Sequence, residues 1–236
     1  MDELILGCIS FCTSVIKGVI GVGGGLLLIA ILPSFLPVND LIPIHGLNQI
    51  TSNLSRAYFG YKDIQFQVVP KFLIGSLVGV GIFVCFLKII SLTYIPLFIG
   101  IYILLSLWSR SFNNKITKYE NYYVIGFFQT GLSVVVGTTG QLAMVKLLKE
   151  FKDKDKVVAT SAILMSMTHI LKIIVFIYFG FVFYDYISII ISMIIGSILG
   201  SYSGSKLRNK INGEKLIFAL KILLSMLAAK SIISVI

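Results

Sequence analysis

The stretch Gly21-Val22-Gly23-Gly24-Gly25 interrupts an apolar run of about 33 residues, from 4 to 36. A second run of similar length, 120–151, is interrupted at Gly137-Thr138-Thr139-Gly140. One straight helix of that length would measure roughly 50 Å, well beyond the ~30 Å of hydrocarbon in a bilayer. Because glycine permits the backbone conformations that end one helix and start another, each run predicts two short half-helices joined by a glycine tip. Such a segment would enter and leave the membrane on one side, as a re-entrant hairpin.

The composition is that of an integral membrane protein. Of 236 residues, 57% are hydrophobic and 13% are charged, and the mean hydropathy is +0.96, whereas a soluble domain carries about a quarter charged residues. This excludes a water-soluble enzyme and the disordered and fibrous classes. The net charge of +10 does not indicate nucleic-acid binding, because the lysines and arginines lie between apolar runs, as loop charges do. The three cysteines lack the spacing of a disulfide framework or zinc site and are expected to be buried apolar side chains.

Six further apolar segments have the length of a single span, namely 41–61, 67–90, 92–109, 157–180, 186–205 and 215–235. If the two glycine-broken segments are re-entrant, the loop lysines and arginines all fall on one side except Lys88. Eight simple crossings would divide these residues poorly, so the positive-inside rule favours six spans and two hairpins. Both termini then lie outside the cytoplasm, and the acidic start Met1-Asp2-Glu3 favours retention of the first segment in the mature protein.

The two halves of the chain resemble each other. At an offset of 116 residues, Gly21 matches Gly137, Gly24 matches Gly140, and Arg56 matches Lys172. We therefore predict an all-α integral membrane protein with one membrane domain over 1–236. It is made of repeat one (about 1–118) and repeat two (about 119–236), each a glycine-broken re-entrant hairpin plus three transmembrane helices. An odd number of crossings per repeat gives two inverted-topology repeats, an arrangement typical of secondary transporters.

The ionisable groups expected inside the membrane are cationic or potentially so. All ten carboxylates lie in loops or at segment ends, whereas Lys17, Arg56, His169 and Lys172 lie within apolar segments. Cation carriers usually need an acidic residue at mid-membrane depth, so the asymmetry indicates an anion. The half-helix after each tip would also direct free N–H groups toward the midplane, where the tips meet. The alternative is that these glycines only let helices pack closely, which is the preferred interpretation of the Gly-x-x-x-Gly stretches 75–79 and 196–200.

The helix after each hairpin carries a polar face with the spacing i, i+4, i+7, i+11. The faces comprise His45, Gln49, Ser52 and Arg56 in the first half, flanked by Asn48 and Asn53, and Ser161, Met165, Thr168 and Lys172 in the second, flanked by Thr160 and His169. Amides, hydroxyls and cations suit an oxyanion, but interhelical hydrogen bonding is the alternative for the hydroxyls. Arg56 could snorkel to the cytoplasmic end of its helix. His169 is either a proton-coupling or a structural group, and His45 is expected at a surface or gate.

The predicted substrate-binding set joins the two tips to the two polar faces: Gly21, Gly23, Gly24, Gly25, Gln49, Ser52, Asn53, Arg56, Gly137, Thr138, Thr139, Gly140, Thr168, His169 and Lys172. Lys17 is a weaker candidate for the same site. An intramembrane enzyme is disfavoured, because the sequence has no nucleophile elbow and no spaced cluster of metal ligands. We predict no catalytic residue, metal or cofactor.

The same stretches carry a family resemblance. The break at 21–25 followed by Ile44-His45-Gly46-Leu47-Asn48-Gln49 and its continuation to Ala57 resembles the first half of the sulfite exporter TauE/SafE family. The break at 137–140, followed by 158–162 and 169–172, resembles the second half, so the likeness covers essentially the whole chain. It implies a multi-pass permease for sulfite, sulfoacetate or a related sulfur-containing anion.

The predicted function is that of a secondary transporter that exports a small anion such as sulfite or an organosulfonate. The anion would bind near the midplane of the bilayer, between the two glycine-broken hairpins. The expected partners are this substrate and the lipid bilayer, without nucleic acid, and an oligomer is left open. The expected location is the cell membrane, as a multi-pass protein of a prokaryotic inner membrane. The alternative is an accessory or anchoring membrane subunit without transport activity of its own.

Overall fold

The computed structural model of the chain describes residues 2–87, 94–112, 121–137, 139, 141–208, 210–211 and 213–233. Within these ranges the protein is all-helical, as predicted, and contains no strand. The helices are α1 Asp2–Ile20, α2 Gly24–Ile31, α3 Leu41–Phe59, α4 Val69–Leu87, α5 Ile95–Trp108, α6 Tyr122–Val136, α7 Gln141–Glu150, α8 Lys154–Tyr178, α9 Ile187–Leu207 and α10 Gly213–Ile233. The loop cation Lys88 lies outside the described residues.

Both predicted helix breaks occur at the glycines. After α1, Gly21 and Gly23 have φ angles of +94° and +92°, and after α6, Gly137 has a φ of +81°. A side chain at such a φ is strained, and glycine is not, because it has no Cβ. The chain then folds back on itself, since a Cβ on Gly24 would overlap the carbonyl oxygen of Thr13 in α1.

The two helices of the first broken segment differ more in length than predicted. α1 has 19 residues and α2 has 8, so the prediction of two short half-helices is wrong for α1. The difference arises because α1 runs without interruption from Asp2 to the first glycine with φ above zero, whereas α2 ends at Ile31, shortly before Pro33. α1 is consequently long and apolar enough to cross a membrane by itself.

Four helical stretches have the length and hydropathy of a membrane span, namely Asp2–Ile20, Phe66–Cys85, Lys154–Tyr178 and Phe183–Leu207. Shorter apolar helices lie at Gly24–Ser34, Pro96–Leu105 and Tyr122–Val136. The helix α3 is absent from both groups because the polar face predicted for it lowers its hydropathy. The chain is thus a multi-helix membrane protein, while the arrangement of six spans and two hairpins stays a prediction.

The most extensive helix contacts join the first half of the chain to the second. α1 packs on α9, α4 on α6, α3 on both α8 and α9, and α5 on α10. With α1–α5 matched in order to α6–α10, exchanging the halves converts the α1–α9 pair into the α6–α4 pair. The same exchange leaves the α3–α8 and α5–α10 pairs unchanged, and it converts the α3–α9 pair into the less extensive α8–α4 pair. This is the pairing that two halves related by a two-fold axis would have.

Two of these interfaces are built on glycine–backbone contacts. At each glycine of the two Gly-x-x-x-Gly stretches, a Cβ would overlap a carbonyl oxygen of the partner helix. The contacts occur at matching positions in the two halves: Gly75 lies against Tyr123 as Gly196 lies against Gly7, and Gly79 lies against Phe127 as Gly200 lies against Phe11. The packing interpretation of these stretches is therefore confirmed. Small residues let membrane helices approach closely enough for extensive van der Waals contact.

The helix that follows the first break forms the centre of the apolar core. All residues of α2 from Gly24 to Ala30 are buried, as expected of a helix that is apolar on every side. The cysteines behave differently from the prediction, since Cys8, Cys12 and Cys85 are all exposed on helix surfaces. The expectation of burial was wrong because an apolar side chain on a membrane helix is equally suited to face lipid.

Candidate functional site

The two predicted polar faces meet in the interior of the protein, where α3 packs on α8. Every member of the two four-residue faces is at most 3% exposed, with His45, Gln49, Ser52 and Arg56 on α3 and Ser161, Met165, Thr168 and Lys172 on α8. Asn53 and His169 are buried beside them. The structure therefore brings together most of the polar groups that the sequence assigned to one site, and it closes them off from the surroundings.

Arg56 and Lys172 make equivalent hydrogen bonds in the two halves of the chain. Arg56 Nη1 donates to the carbonyl oxygen of Gly21 at 2.8 Å, and Lys172 Nζ donates to that of Gly137 at 2.7 Å. Both donors and both acceptors match at the offset of 116. A cation at the C-terminal end of a helix is favourable, because the last carbonyls lack partners and carry partial negative charge.

Arg56 does not snorkel to the membrane surface. It is 1% exposed, and its guanidinium makes further hydrogen bonds to the carbonyl oxygen of Lys17 at 3.1 Å and to Asn53 Oδ1 at 3.0 Å. A second arginine, Arg208 of the loop after α9, donates through Nε to the carbonyl oxygen of Gly18 at 2.9 Å and pairs with Asp155. The end of α1 is therefore held by two guanidinium groups.

His45 is buried in the site, so the expectation of a surface position was wrong, while its role as a gate stays a prediction. Its side chain is fully buried, and Nε2 is 3.0 Å from the carbonyl oxygen of Gly25. The ring also contacts His169 of α8, with 5.7 Å between ring centroids in an edge-on geometry. Its place on the same helical face as Gln49 and Arg56 was the sequence signal that could have located it.

Lys17 is a third buried cation of this site. It is 1% exposed, and its Nζ donates a hydrogen bond to Gln49 Oε1. Its ammonium group lies close enough to Arg56 and Lys172 for charge repulsion. Three positive side chains from α1, α3 and α8 therefore converge, and no buried side chain in the described part of the chain is a carboxylate.

Ser52 and Thr168 belong to matching hydroxyl pairs. Ser52 Oγ is 3.0 Å from Ser14 Oγ of α1, and Thr168 Oγ1 is 3.2 Å from Thr130 Oγ1 of α6. Gln129 adds a bond from Nε2 to Thr168 Oγ1 at 3.3 Å. These contacts favour the interhelical alternative for both hydroxyls. The sequence-based prediction did not include the hydroxyl residues Ser14 of α1 and Thr130 of α6, although these two match at the offset of 116.

The tip residues of the predicted set contribute mainly through backbone atoms. The carbonyl oxygens of Gly21, Gly25 and Gly137 accept the hydrogen bonds described above. Thr139 Oγ1 donates to the carbonyl oxygen of Gln129 in α6. Gly23 precedes α2, and Gly24 is the first residue of this helix. Thr138 and Gly140, which the sequence assigns to the site, lie outside the described residues.

Several buried nitrogens of the site have no hydrogen-bond partner within the described ranges. They are His45 Nδ1, Asn48 Nδ2, Asn53 Nδ2, Arg56 Nε and His169 Nδ1. The amide and guanidinium nitrogens can only donate, and an imidazole nitrogen donates in one of its tautomers. A buried donor without an acceptor costs about 1–3 kcal/mol. The site is thus rich in positive charge and in free donors, which is the chemistry that recognises an oxyanion.

The family model of sulfite exporter TauE/SafE matches residues 6–231, nearly the whole chain. The chain belongs to the TauE/SafE family. No curated protein and no solved structure matches it. TauE/SafE proteins are transporters rather than enzymes, so membership makes this protein a multi-pass membrane transporter of anions, as the resemblance implied. The TauE/SafE match also spans both helix breaks and both polar faces.

Proposed function

We propose that the protein is a secondary transporter that exports a small sulfur-containing anion, sulfite or an organosulfonate. The observation that carries the proposal is the convergence of Lys17, Arg56 and Lys172 in the interior without a buried carboxylate among the described residues. Burying an ion without a counter-charge costs several kcal/mol. An anion bound among these side chains would offset that cost.

The free donors of the site favour an oxyanion over a halide. Within the described part of the chain, Asn53 Nδ2 and Arg56 Nε have no acceptor, and the Nδ1 atoms of His45 and His169 have no hydrogen-bond partner. Several donors from different helices can each reach a separate oxygen, and hydrogen bonds between charged groups and oxyanions are among the strong ones. A sulfur oxyanion offers three oxygens on one small centre.

Transport requires the site to open to each side in turn. The side chains of the polar faces are closed off here, and the strongest helix contacts join the two halves. We propose two inverted repeats, 1–118 and 119–236, that rock against each other around the site, as in other transporters built from such repeats. The matching glycine interfaces and the matching contacts of Arg56 and Lys172 support this arrangement.

The function is tested by sulfite flux in proteoliposomes. The wild-type protein is expected to move sulfite, and Lys172→Ala is expected to abolish flux while the protein still inserts. Lys152→Ala, which removes an exposed loop lysine instead, serves as the control and should retain flux. Normal flux in Lys172→Ala would remove that residue from the mechanism. Wild-type protein that neither binds nor moves sulfite or organosulfonates would favour the accessory-subunit alternative.

The membrane arrangement is tested by labelling single cysteines in a background where Cys8, Cys12 and Cys85 are replaced by serine. We propose six spans and two re-entrant hairpins in a prokaryotic inner membrane, which places Tyr184 outside and Lys62 in the cytoplasm, whereas eight simple crossings would place both outside. Tyr184 is 80% exposed and Lys62 is exposed as well, so Tyr184→Cys should react with an impermeant thiol reagent added to intact cells. Lys62→Cys should react only after the membrane is opened. Labelling of Lys62→Cys in intact cells would refute the hairpin arrangement.

A further inference from the structure

Lys17 marks the point where the two halves stop matching. At the offset of 116 its counterpart is Ser133, and the counterpart of its hydrogen-bond partner Gln49 is Met165. Ser133 Oγ donates to the carbonyl oxygen of Gly137 at 3.3 Å and carries no charge. The first half therefore brings an ammonium–amide pair to the site, where the second half brings a hydroxyl and a thioether.

The ammonium group of Lys17 is central among the charged and titratable side chains of the site. It lies within electrostatic range of Arg56 and Lys172, and both His45 and His169 lie within its range. Lys172 interacts with Lys17 and both imidazoles too, so among the described cations Lys17 differs in that it also faces Arg56. An anion that contacts Lys17 is therefore attracted by the cations of both halves at once.

Unlike Arg56 and Lys172, Lys17 makes its side-chain hydrogen bond to another side chain and not to a backbone carbonyl. Arg56 and Lys172 each hold the carbonyl oxygen at the end of a broken helix. The bond from Lys17 Nζ goes to a side-chain amide, Gln49 Oε1, and an ammonium has three N–H donors. Among the described residues, only Gln49 accepts from this ammonium, so two of its N–H groups can serve a ligand while Gln49 fixes the direction of the third.

We propose that Lys17, positioned by Gln49, makes the site select a doubly charged oxyanion over a singly charged one. This inference rests on the proposed function and names the charge class of its substrate. Arg56 and Lys172 alone provide two positive charges that are partly balanced by the carbonyl oxygens they hold. Lys17 adds a third, and Coulomb attraction grows with the product of the charges and is strong where water is excluded. Lys17 therefore increases the binding free energy of a doubly charged ligand more than that of a singly charged one.

The test compares two ligands that differ in charge more than in size. Sulfate and methanesulfonate are both tetrahedral at sulfur, and replacing one sulfate oxygen with a methyl group removes one negative charge. Binding of each to the full-length protein in detergent is measured by calorimetry. We expect the wild-type protein to bind sulfate at least about tenfold more tightly than methanesulfonate, a difference of roughly 1.4 kcal/mol. Lys17→Met should reduce that ratio about tenfold, mainly through weaker sulfate binding.

Two further variants separate selection by Lys17 from a general effect of charge. Lys17→Arg keeps the cation and should retain the preference for sulfate. Lys230→Met removes the same charge from an exposed position of α10 and should leave both affinities unchanged. Lys17→Met is expected to fold, because it removes a buried charge that has no carboxylate partner among the described residues.

The outcomes distinguish this inference from the proposed function. An unchanged ratio in Lys17→Met would overturn the role of Lys17 while leaving anion transport intact. A wild-type protein that binds both anions equally would overturn the charge selection without any variant being needed. A wild-type protein that binds neither of these anions, nor sulfite, would overturn the proposed function itself.

Discussion

The ends of α1 and α6 are matching helix breaks that are stabilised to different degrees. At the end of α1, Arg56 holds the carbonyl oxygens of Lys17 and Gly21, while Arg208 holds that of Gly18. At the end of α6, Lys172 holds the carbonyl oxygen of Gly137. The contact that the two breaks share is a hydrogen bond from a cationic side chain to a carbonyl oxygen at the end of the helix. The additional contacts show that more positive charge lies at the first break, and that part of it comes from Arg208 of the second half.

The largest expected effect concerns the interfaces that the halves share. In Gly75→Ala and Gly196→Ala, the new Cβ would overlap a carbonyl oxygen of α6 and of α1, respectively. Since backbone atoms cannot move aside without shifting a whole helix, both variants should lose most of their folded protein. Folded yield is measured by size-exclusion chromatography after detergent extraction. Gly81→Ala is the control, because a Cβ there has no neighbour within 4 Å. If Gly196→Ala keeps its folded yield while Gly75→Ala loses it, the two interfaces are not equivalent.

The next largest effect concerns the two cations that hold the breaks. Arg56→Met removes hydrogen bonds to two carbonyl oxygens and to Asn53, whereas Lys172→Met removes one. Charged hydrogen bonds contribute about 1.5–3 kcal/mol each, against which the relief of a buried charge must be set. We expect Arg56→Met to lower the thermal transition of the detergent-solubilised protein more than Lys172→Met does. Equal losses would mean that the additional contacts of the first break contribute little.

A smaller effect is expected from the glycines at the breaks. Gly21→Ala and Gly137→Ala both force a side chain into the φ > 0 region, at a cost of roughly 1–2 kcal/mol. The Cβ in Gly21→Ala would also lie 2.6 Å from Met144 Cε, whereas the nearest atom in Gly137→Ala is 3.1 Å away, on Ile29. Gly21→Ala should therefore be the less stable of the two in thermal unfolding. The reverse order would show that the methionine side chain moves aside at no cost.

The smallest effect concerns the hydroxyl pairs. Ser14→Ala removes the bond to Ser52, and Thr130→Val removes bonds to both Thr168 and Ser76, the latter at 2.7 Å. With about 1 kcal/mol per bond, Thr130→Val should destabilise the protein about twice as much as Ser14→Ala. A double variant with Ser76→Ala measures the coupling between Thr130 of α6 and Ser76 of α4. Additive losses would show that the bond between Thr130 and Ser76 does not contribute.

The sequence was sufficient for the features that depend on local chemistry. Glycine runs located both breaks, since no other residue adopts their backbone angles without strain, and helical spacing located the polar faces of α3 and α8. The length of α1 was misjudged, because an apolar run does not show how far a helix extends beyond it. The burial of His45 was indicated locally by its place on the polar face of α3, but the helix that covers this face, α8, is distant in the sequence and could not be identified from it. The same holds for Ser14 and Thr130, whose partners lie on other helices.

The glycine contacts between α1 and α9 and between α4 and α6 bear on how the protein is made. Each contact joins a helix from the first half of the chain to one from the second half. During synthesis the first half is therefore inserted before the helices that cover its glycine surfaces exist. Its three-dimensional structure can close only when translation reaches α9, so assembly must follow insertion instead of accompanying it. The same contacts imply that two separately expressed halves would each need the other as a folding partner in the membrane.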